Sequence, residues 1–377
     1  MSVTLSHQSA LDAIRTLRCD GVCISNMDIV SLASPSSWAG KRFRMNNFTS
    51  DVWKWSQPTA NRPLHILVPN VQNRMRGSGI VSHVASGDLP AGSIHWHDEH
   101  SRIVCPELLF LQMAETFSLP ALVMLGLEMC GHFSRLPDNP LTDDVIDKLP
   151  AATSVERIWE YLSKIKKAKG MGNARSALQY VRNHAASAPE AVLATIYGLP
   201  PAEGGYGMGP VRLNERVRLG DSGAWKKVAN RYPDLMFDFA PIGLNYDGSK
   251  HFDIASLMAA AEKFARSKEA NRDAARTEFE ERLLEARAKV IDDNMRDRQL
   301  AAQGRIVLSV TKEDLAGIEQ LDELTRQVLG CASKALGTDV DAYRKTLDDT
   351  NLARERGDLL SMLTPHGGGG ASSYGRM

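Results

Sequence analysis

Apolar and polar positions along this chain repeat with two different periods, and each change of period marks an element. Residues 6 to 18 ("SHQSALDAIRTLR") carry apolar side chains at helical spacing and predict a short amphipathic helix. Proline, serine and asparagine crowd residues 34 to 62, where the pattern lapses into loops. "PLHILVPN" (63 to 70) is a compact apolar run between turn residues and predicts a strand. "GSIHWHDEHSRIVCP" (92 to 106) predicts a hairpin. "PELLFLQMAETF" (106 to 117) predicts a helix that starts at a proline, and "LPALVMLGLEMCGHF" a second apolar helix. A loop rich in proline and aspartate (136 to 152) precedes a helix over 154 to 167. "SAPEAVLATIYGLP" (187 to 200) opens with an N-cap serine and has Glu190 in its first turn.

Beyond a glycine-rich loop (203 to 209) the period shortens. "PVRLNERVRL" and "LMFDFAPIGLNYDG" read as strands, the second a run of alternating and buried apolar residues. Residues 255 to 302 are densely charged, helically spaced and free of proline and glycine, which predicts one or two helices. "GRIVLSVTKEDL" (304 to 315) is a late strand ending in a helix-start signal, and "GIEQLDELTRQVLGCASKAL" is a further helix. The glycine-rich tail is expected to be flexible.

Composition changes this picture little. Hydrophobic residues are 43% of 377 and charged residues 24%, an ordinary soluble balance. Lysine plus arginine and aspartate plus glutamate are both 45, so no global field recruits nucleic acid, and any such binding falls to local patches. Lys164, Lys166, Lys167, Lys169 and Arg175, with Arg182 nearby in the chain, form one such patch, read either as a phosphate-contacting surface or as a solvated helix face. The five scattered cysteines (Cys19, Cys23, Cys105, Cys130, Cys331) argue against a disulfide framework, and Cys19 and Cys23 lack the second half of a zinc site. No apolar run reaches about 18 residues and no signal pattern opens the chain, so a cytoplasmic protein without a membrane segment is expected.

Two clusters carry candidate chemistry. His95, His97 and His100, with Asp98 and Glu99, could ligate a metal or simply form a polar hairpin edge. In the second half, acidic residues lie at the joints between strands. Hydrolysis of a phosphodiester uses a divalent cation held by hard oxygen ligands. Asn245 and Asp247 are two apart and share a strand face; Asp234 lies upstream in the same run. His251 follows the turn glycine Gly248. The same residues also suit turn and cap chemistry, and Glu190 suits a helix N-terminus.

With "SAPE", "YPDLMF", "LNYDGSKH" and "DNMRDRQLAAQGRIVLSV" in order, residues 187 to 315 resemble the PD-(D/E)XK nuclease superfamily. The likeness is to its very-short-patch-repair-endonuclease-like branch, of the kind attached to abortive-infection antitoxin-like proteins. A weaker likeness to the segment preceding that domain runs through "RPLHILVPN", "IVSHVASGDLPAG" and "IVCPELLFLQMA". The resemblance implies an α/β fold with a restriction-endonuclease-like core, a central mixed sheet flanked by helices, in the C-terminal half. An α+β region would precede it (1–152), the endonuclease-like domain would span 153–335 with a helical insertion at 255–302, and a helix and tail would follow (336–377). It implies magnesium or manganese held by Asp234 and Asp247, with Asn245 at a position where the family has an acid. Glu190 would orient water and His251 would act as general acid or base. Closing positions Asp293, Arg296, Leu300 and Gly304 also fit. The implied function is a metal-dependent endonuclease acting on DNA, in phage defence or repair. The alternative is a catalytically silent DNA-binding regulator like an abortive-infection antitoxin. Residues 255–302 are a further candidate for partner contacts or self-association.

Overall fold

The first apolar residues of the chain, Val3–Leu5, form strand β1, and its place in the middle of a sheet organises everything around it. The structure, a computed structural model, describes residues 3–32, 59–77, 79–137, 145–219, 230–247, 254–267 and 269–364. These fall into two compact units, Met1–Gly205 with Ser361–Met377, and Tyr206–Leu360.

In the first unit β1 is joined by β2 (Leu64–Val68), β3 (Ile80–Val84), β4 (Ile94–Trp96) and β5 (Ser101–Val104) in the order β3-β2-β1-β5-β4. β1 runs antiparallel to β2 and parallel to β5, and β2 and β3 are parallel. The expected hairpin over 92 to 106 is the antiparallel pair β4–β5. Helix α1 (His7–Cys19) leaves β1 after a single residue, Ser6, and buries Leu11 and Ile14. Helices α2 (Pro106–Met113) and α3 (Leu119–Met129) each carry a proline in the first turn and are apolar nearly all round, so both are interior. One polar cluster crosses that interior. Arg15 forks onto Glu128 at 2.8 and 2.7 Å, and Arg18 donates to the carbonyls of Glu128 and Gly131. Burial pushes the Glu128 carboxyl up, but Arg15, Arg135 and Arg18 together hold it below its ordinary value.

A small pair, β6 (Ser134–Arg135) and β7 (Val145–Ile146), follows. Helix α4 (Val155–Lys164) is amphipathic and buries Ile158, Tyr161 and Leu162. It packs on α2, while α5 (Met171–Leu178) and α6 (Ala188–Gly198) pack on α3. Residues 153–205 therefore pack within the first unit, whereas the sequence reading grouped them with the endonuclease-like domain.

The second unit is built on strands β8 (Val211–Leu213), β9 (Val217–Arg218), β10 (Asn230–Arg231), β11 (Leu235–Phe237), β12 (Ile242–Asp247) and, after two helices, β13 (Ile306–Thr311). Its main sheet has the order β13-β12-β11-β8, and β9 pairs with β10 separately. β12 and β13 are parallel over six residues, and β11 is antiparallel to both β12 and β8. The run "LMFDFAPIGLNYDG" is thus two strands, not one: the chain reverses between Phe237 and Ile242, where the Ile242 N–H closes onto Ala240 at 2.7 Å. Turn residues Asp238 and Pro241 make the reversal, but the buried residues on both sides hide it from a reading of periodicity. Gly243 lets these strands approach, since a Cβ there would stand 2.5 Å from the Leu235 carbonyl oxygen.

The charged stretch forms two helices, α7 (Ile254–Arg266) and α8 (Glu269–Ala302), which fold back on each other through Lys263–Glu278 at 2.6 Å and the stacked rings of Phe264 and Phe279. Helices α9 (Ile318–Leu336), α10 (Asp341–Asp348) and α11 (Thr350–Leu363) follow. Arg356 on α11 is fully buried and binds Asp322 on α9, which also accepts from the Tyr206 hydroxyl at 2.6 Å. The described residues thus form a mixed α/β protein with mixed sheets and no barrel. None of their helices is long and apolar enough to cross a membrane.

Candidate functional site

The acidic face of the second unit grows out of the β11–β12 ladder. Leu235 pairs with Leu244, which makes Asp234 the cross-strand neighbour of Asn245, one step on. The two residues are locked together. The Asp234 main-chain N–H donates to Asn245 Oδ1 at 3.1 Å, and Asp234 Oδ2 accepts from the Tyr246 main-chain N–H at 2.6 Å. Each side chain thereby finishes the other strand's backbone where the ladder ends.

Asn245 is 4% exposed, and its Nδ2 is buried without a hydrogen-bond partner. Such a donor costs about 1–3 kcal/mol when left unmet. Two residues on, Asp247 points to the same face, is half-buried, and has no polar partner among the described residues. In the parallel register Asn245 lies beside Ser309 and Asp247 beside Thr311. Thr311 is held in turn by Asp314, whose Oδ2 accepts from its N–H and its hydroxyl at 2.7 and 3.0 Å.

Asp234 and Asp247 are two carboxylates at the same end of the central strands β11 and β12, the ligand type that hard cations take. Asn245 does not fit that set as it stands. Its oxygen serves the Asp234 N–H, and what it offers beyond is an N–H donor. Among the described residues no group of three histidines, cysteines or acids is arranged to hold a metal ion. His251 and Gly248 lie outside the described residues.

Glu190 belongs to the first unit and is engaged there. It accepts from the Ser187 hydroxyl at 2.8 Å and the Ala186 N–H at 2.9 Å, while Ser187 Oγ accepts from the Glu190 N–H. This reciprocal capping box at the start of α6 uses both carboxylate oxygens.

The basic patch is a surface feature. Lys164, Lys166, Lys167, Lys169 and Arg175 are all exposed. Lys164 pairs with Glu160 at 2.8 Å, and the other four form no ion pair with the described residues. In the β4–β5 hairpin His97 pairs with Asp98 and His100 with Glu99, each at 3.4 Å. Asp98 also accepts from the N–H groups of His100 and Ser101, which is turn chemistry, and His95 turns inward toward the Met27 carbonyl.

A different histidine group has no counterpart in the sequence reading. Parallel pairing of β2 with β3 places His65 diagonally across from His83 on one face, with Nδ1 and Nε2 2.9 Å apart. The His7 ring stacks on His83 at a centroid distance of 3.5 Å. Burial and the mutual proximity of the rings push His7 down to about 3, and burial, His65 and Arg74 push His83 down to about 4. Residues 7, 65 and 83 share no local motif; the β2–β3 pairing unites His65 and His83, and the start of α1 stacks His7 on His83.

No family model, no curated protein and no solved structure matches this chain.

Proposed function

We propose that this chain is an endonuclease-like protein acting on DNA, with its chemistry on the β11–β12 face of the second unit. The observation that carries the reading is the gathering of Asp234, Asn245 and Asp247 at one end of the central strands β11 and β12, with β13 parallel to β12 alongside. A mixed sheet with helices around it is the setting in which the sequence resembles the restriction-endonuclease-like core of the PD-(D/E)XK superfamily.

In this reading Asp234 and Asp247 hold magnesium or manganese, and the ion supplies the Lewis acidity that activates water and neutralises the phosphate. The chain's own contribution is positional. The Tyr246 N–H fixes the orientation of the Asp234 carboxylate through one of its oxygens. Asp247, the last residue of β12, would meet incoming phosphate at the C-terminal end of that central strand. Lys166, Lys167, Lys169 and Arg175 supply sequence-independent contacts to the DNA backbone.

A second reading, a catalytically silent DNA-binding regulator, is favoured by a specific observation. Asn245 brings an N–H donor where a ligand oxygen would be used, and Glu190 is spent on its own helix. Duplex DNA binding at rising salt, with and without magnesium or manganese, tests both. Salt-sensitive binding accompanied by metal-dependent cutting supports the enzyme. Salt-sensitive binding alone supports the regulator, and an absence of binding overturns both.

A further inference from the structure

We propose that the first unit has a second binding site: the cleft at the N-terminus of α1, built to take the phosphate monoester of a nucleotide, free or at the end of a strand. It does not use the β11–β12 residues of the endonuclease reading and shares with that reading only Lys169. The cleft has a volume of about 400 Å³, the size of a small-ligand site. His7, Ser82, His83, Arg74, Gln112 and Lys169 are among its lining residues.

Several observations converge on an anion here. Helix α1 is 13 residues long, and its first turn has no acidic residue to balance the dipole. Its N-cap Ser6 does not cap, and Ser6 Oγ is buried without a hydrogen-bond partner. The next residue, His7, lines the cleft, is 8% exposed, and has its Nδ1 buried without a partner. The unmet His7 imidazole and the Arg74 and Lys169 side chains of the same lining are the donors a phosphate uses. The His7 N–H is already held by Gln112 Oε1 at 3.1 Å, which orients that lining amide.

The backbone is strained at the same residue. His7 has φ +48°, in the left-handed region, at the first position of a helix. Such a conformation is costly for a non-glycine residue and clusters at functional sites. The strain lets β1 turn into α1 within one residue and brings His7 onto His83.

The remaining walls explain why a nucleotide suits the cleft better than bare phosphate. Leu67, Leu108 and Leu111 give one side an apolar surface fit for a base. Asp88 and Glu115 also line the cleft and can act as acceptors for sugar hydroxyls or base amines. The charged and titratable groups facing the pocket are therefore His7, His83, Arg74, Lys169, Asp88 and Glu115, with His65 behind His83. The neutral histidines can accept a proton as the dianion enters.

The test is fluorescence polarisation on the full chain with a short labelled oligonucleotide carrying either a 5′-phosphate or a 5′-hydroxyl. Nucleoside 5′-monophosphates serve as competitors. The 5′-phosphate is expected to tighten binding about tenfold. Arg74→Ala and Lys169→Ala, both at exposed positions that leave the core untouched, are expected to remove that gain. Competition by the monophosphate identifies a free nucleotide as a ligand; its failure with the phosphate effect intact identifies a strand end. Equal binding of phosphate and hydroxyl ends with no monophosphate binding, or a phosphate gain that survives both substitutions, overturns the proposal.

Discussion

Asp234 and Asn245 hold each other's strand: the Asp234 N–H donates to the Asn245 amide oxygen at 3.1 Å, and the Asp234 carboxylate accepts from the residue after Asn245. This lock explains why a neutral amide can stand in an acidic row. A carboxylate could accept the same N–H, but two neighbouring acids would repel each other. An amide avoids that repulsion and leaves its nitrogen unmet.

Asn245→Asp should therefore keep the lock and replace the unmet donor with an acceptor. The variant is expected to melt at a lower temperature than wild type without divalent ions, from like-charge repulsion. Manganese should then stabilise it more than wild type. Thermal melts with and without manganese check this; equal metal-induced shifts in the two proteins would rule it out.

Glu190→Ala should cost about 1 kcal/mol of stability through loss of the capping box. Because both its oxygens are occupied within its own helix start, Glu190→Gln is expected to retain most of that stability. Urea titrations of the two variants separate them, and any DNA cutting should persist in Glu190→Gln.

The histidine group makes stability depend on pH. His7, His65 and His83 are all lowered from an ordinary value of 6.5, His7 to about 3 and His83 to about 4. Below 6.5 the unfolded chain binds protons that the folded chain refuses. Stability is therefore fully present above 6.5 and is lost as pH drops from there through about 4 for His83 and about 3 for His7, with His65 acting in the same direction. Denaturant midpoints at pH 7.5 and 5 should differ accordingly, and His83→Gln should narrow the difference.

Replacing Lys166, Lys167 and Lys169 together with glutamate should weaken duplex DNA binding across unrelated sequences. It should also flatten the log–log salt dependence of binding, its slope falling by about 0.9 for each phosphate that these lysines neutralise in the wild type. An unchanged slope would move the DNA-binding surface elsewhere.

Much of the fold was legible from local pattern. The helix at His7, the strand at Leu64, the β4–β5 hairpin and β13 follow from apolar periodicity and from caps such as Ser187. Two kinds of feature were not legible. The reversal between Phe237 and Ile242 lies inside a continuously buried run, where period alone cannot separate one strand from two. Tertiary partnerships leave no local trace: His65 meets His83 only because β2 and β3 pair in parallel, and Arg15 meets Glu128 from a helix remote in the chain. Asn245 and Asp247 were legible as a shared face, yet the engagement of the Asn245 oxygen by Asp234 depends on an antiparallel neighbour that the single-strand reading lacked.

Conversion of supercoiled plasmid by the 377-residue chain in manganese, beside Asp247→Ala, tests the central claim most directly. Asp247 ends β12 and has no polar partner among the described residues, so its replacement should leave the sheet standing. The account predicts nicked or linear product from wild type, none in chelator, and none from the variant despite unchanged folding. Undiminished cutting by Asp247→Ala, or no cutting by wild type in either magnesium or manganese, would contradict it.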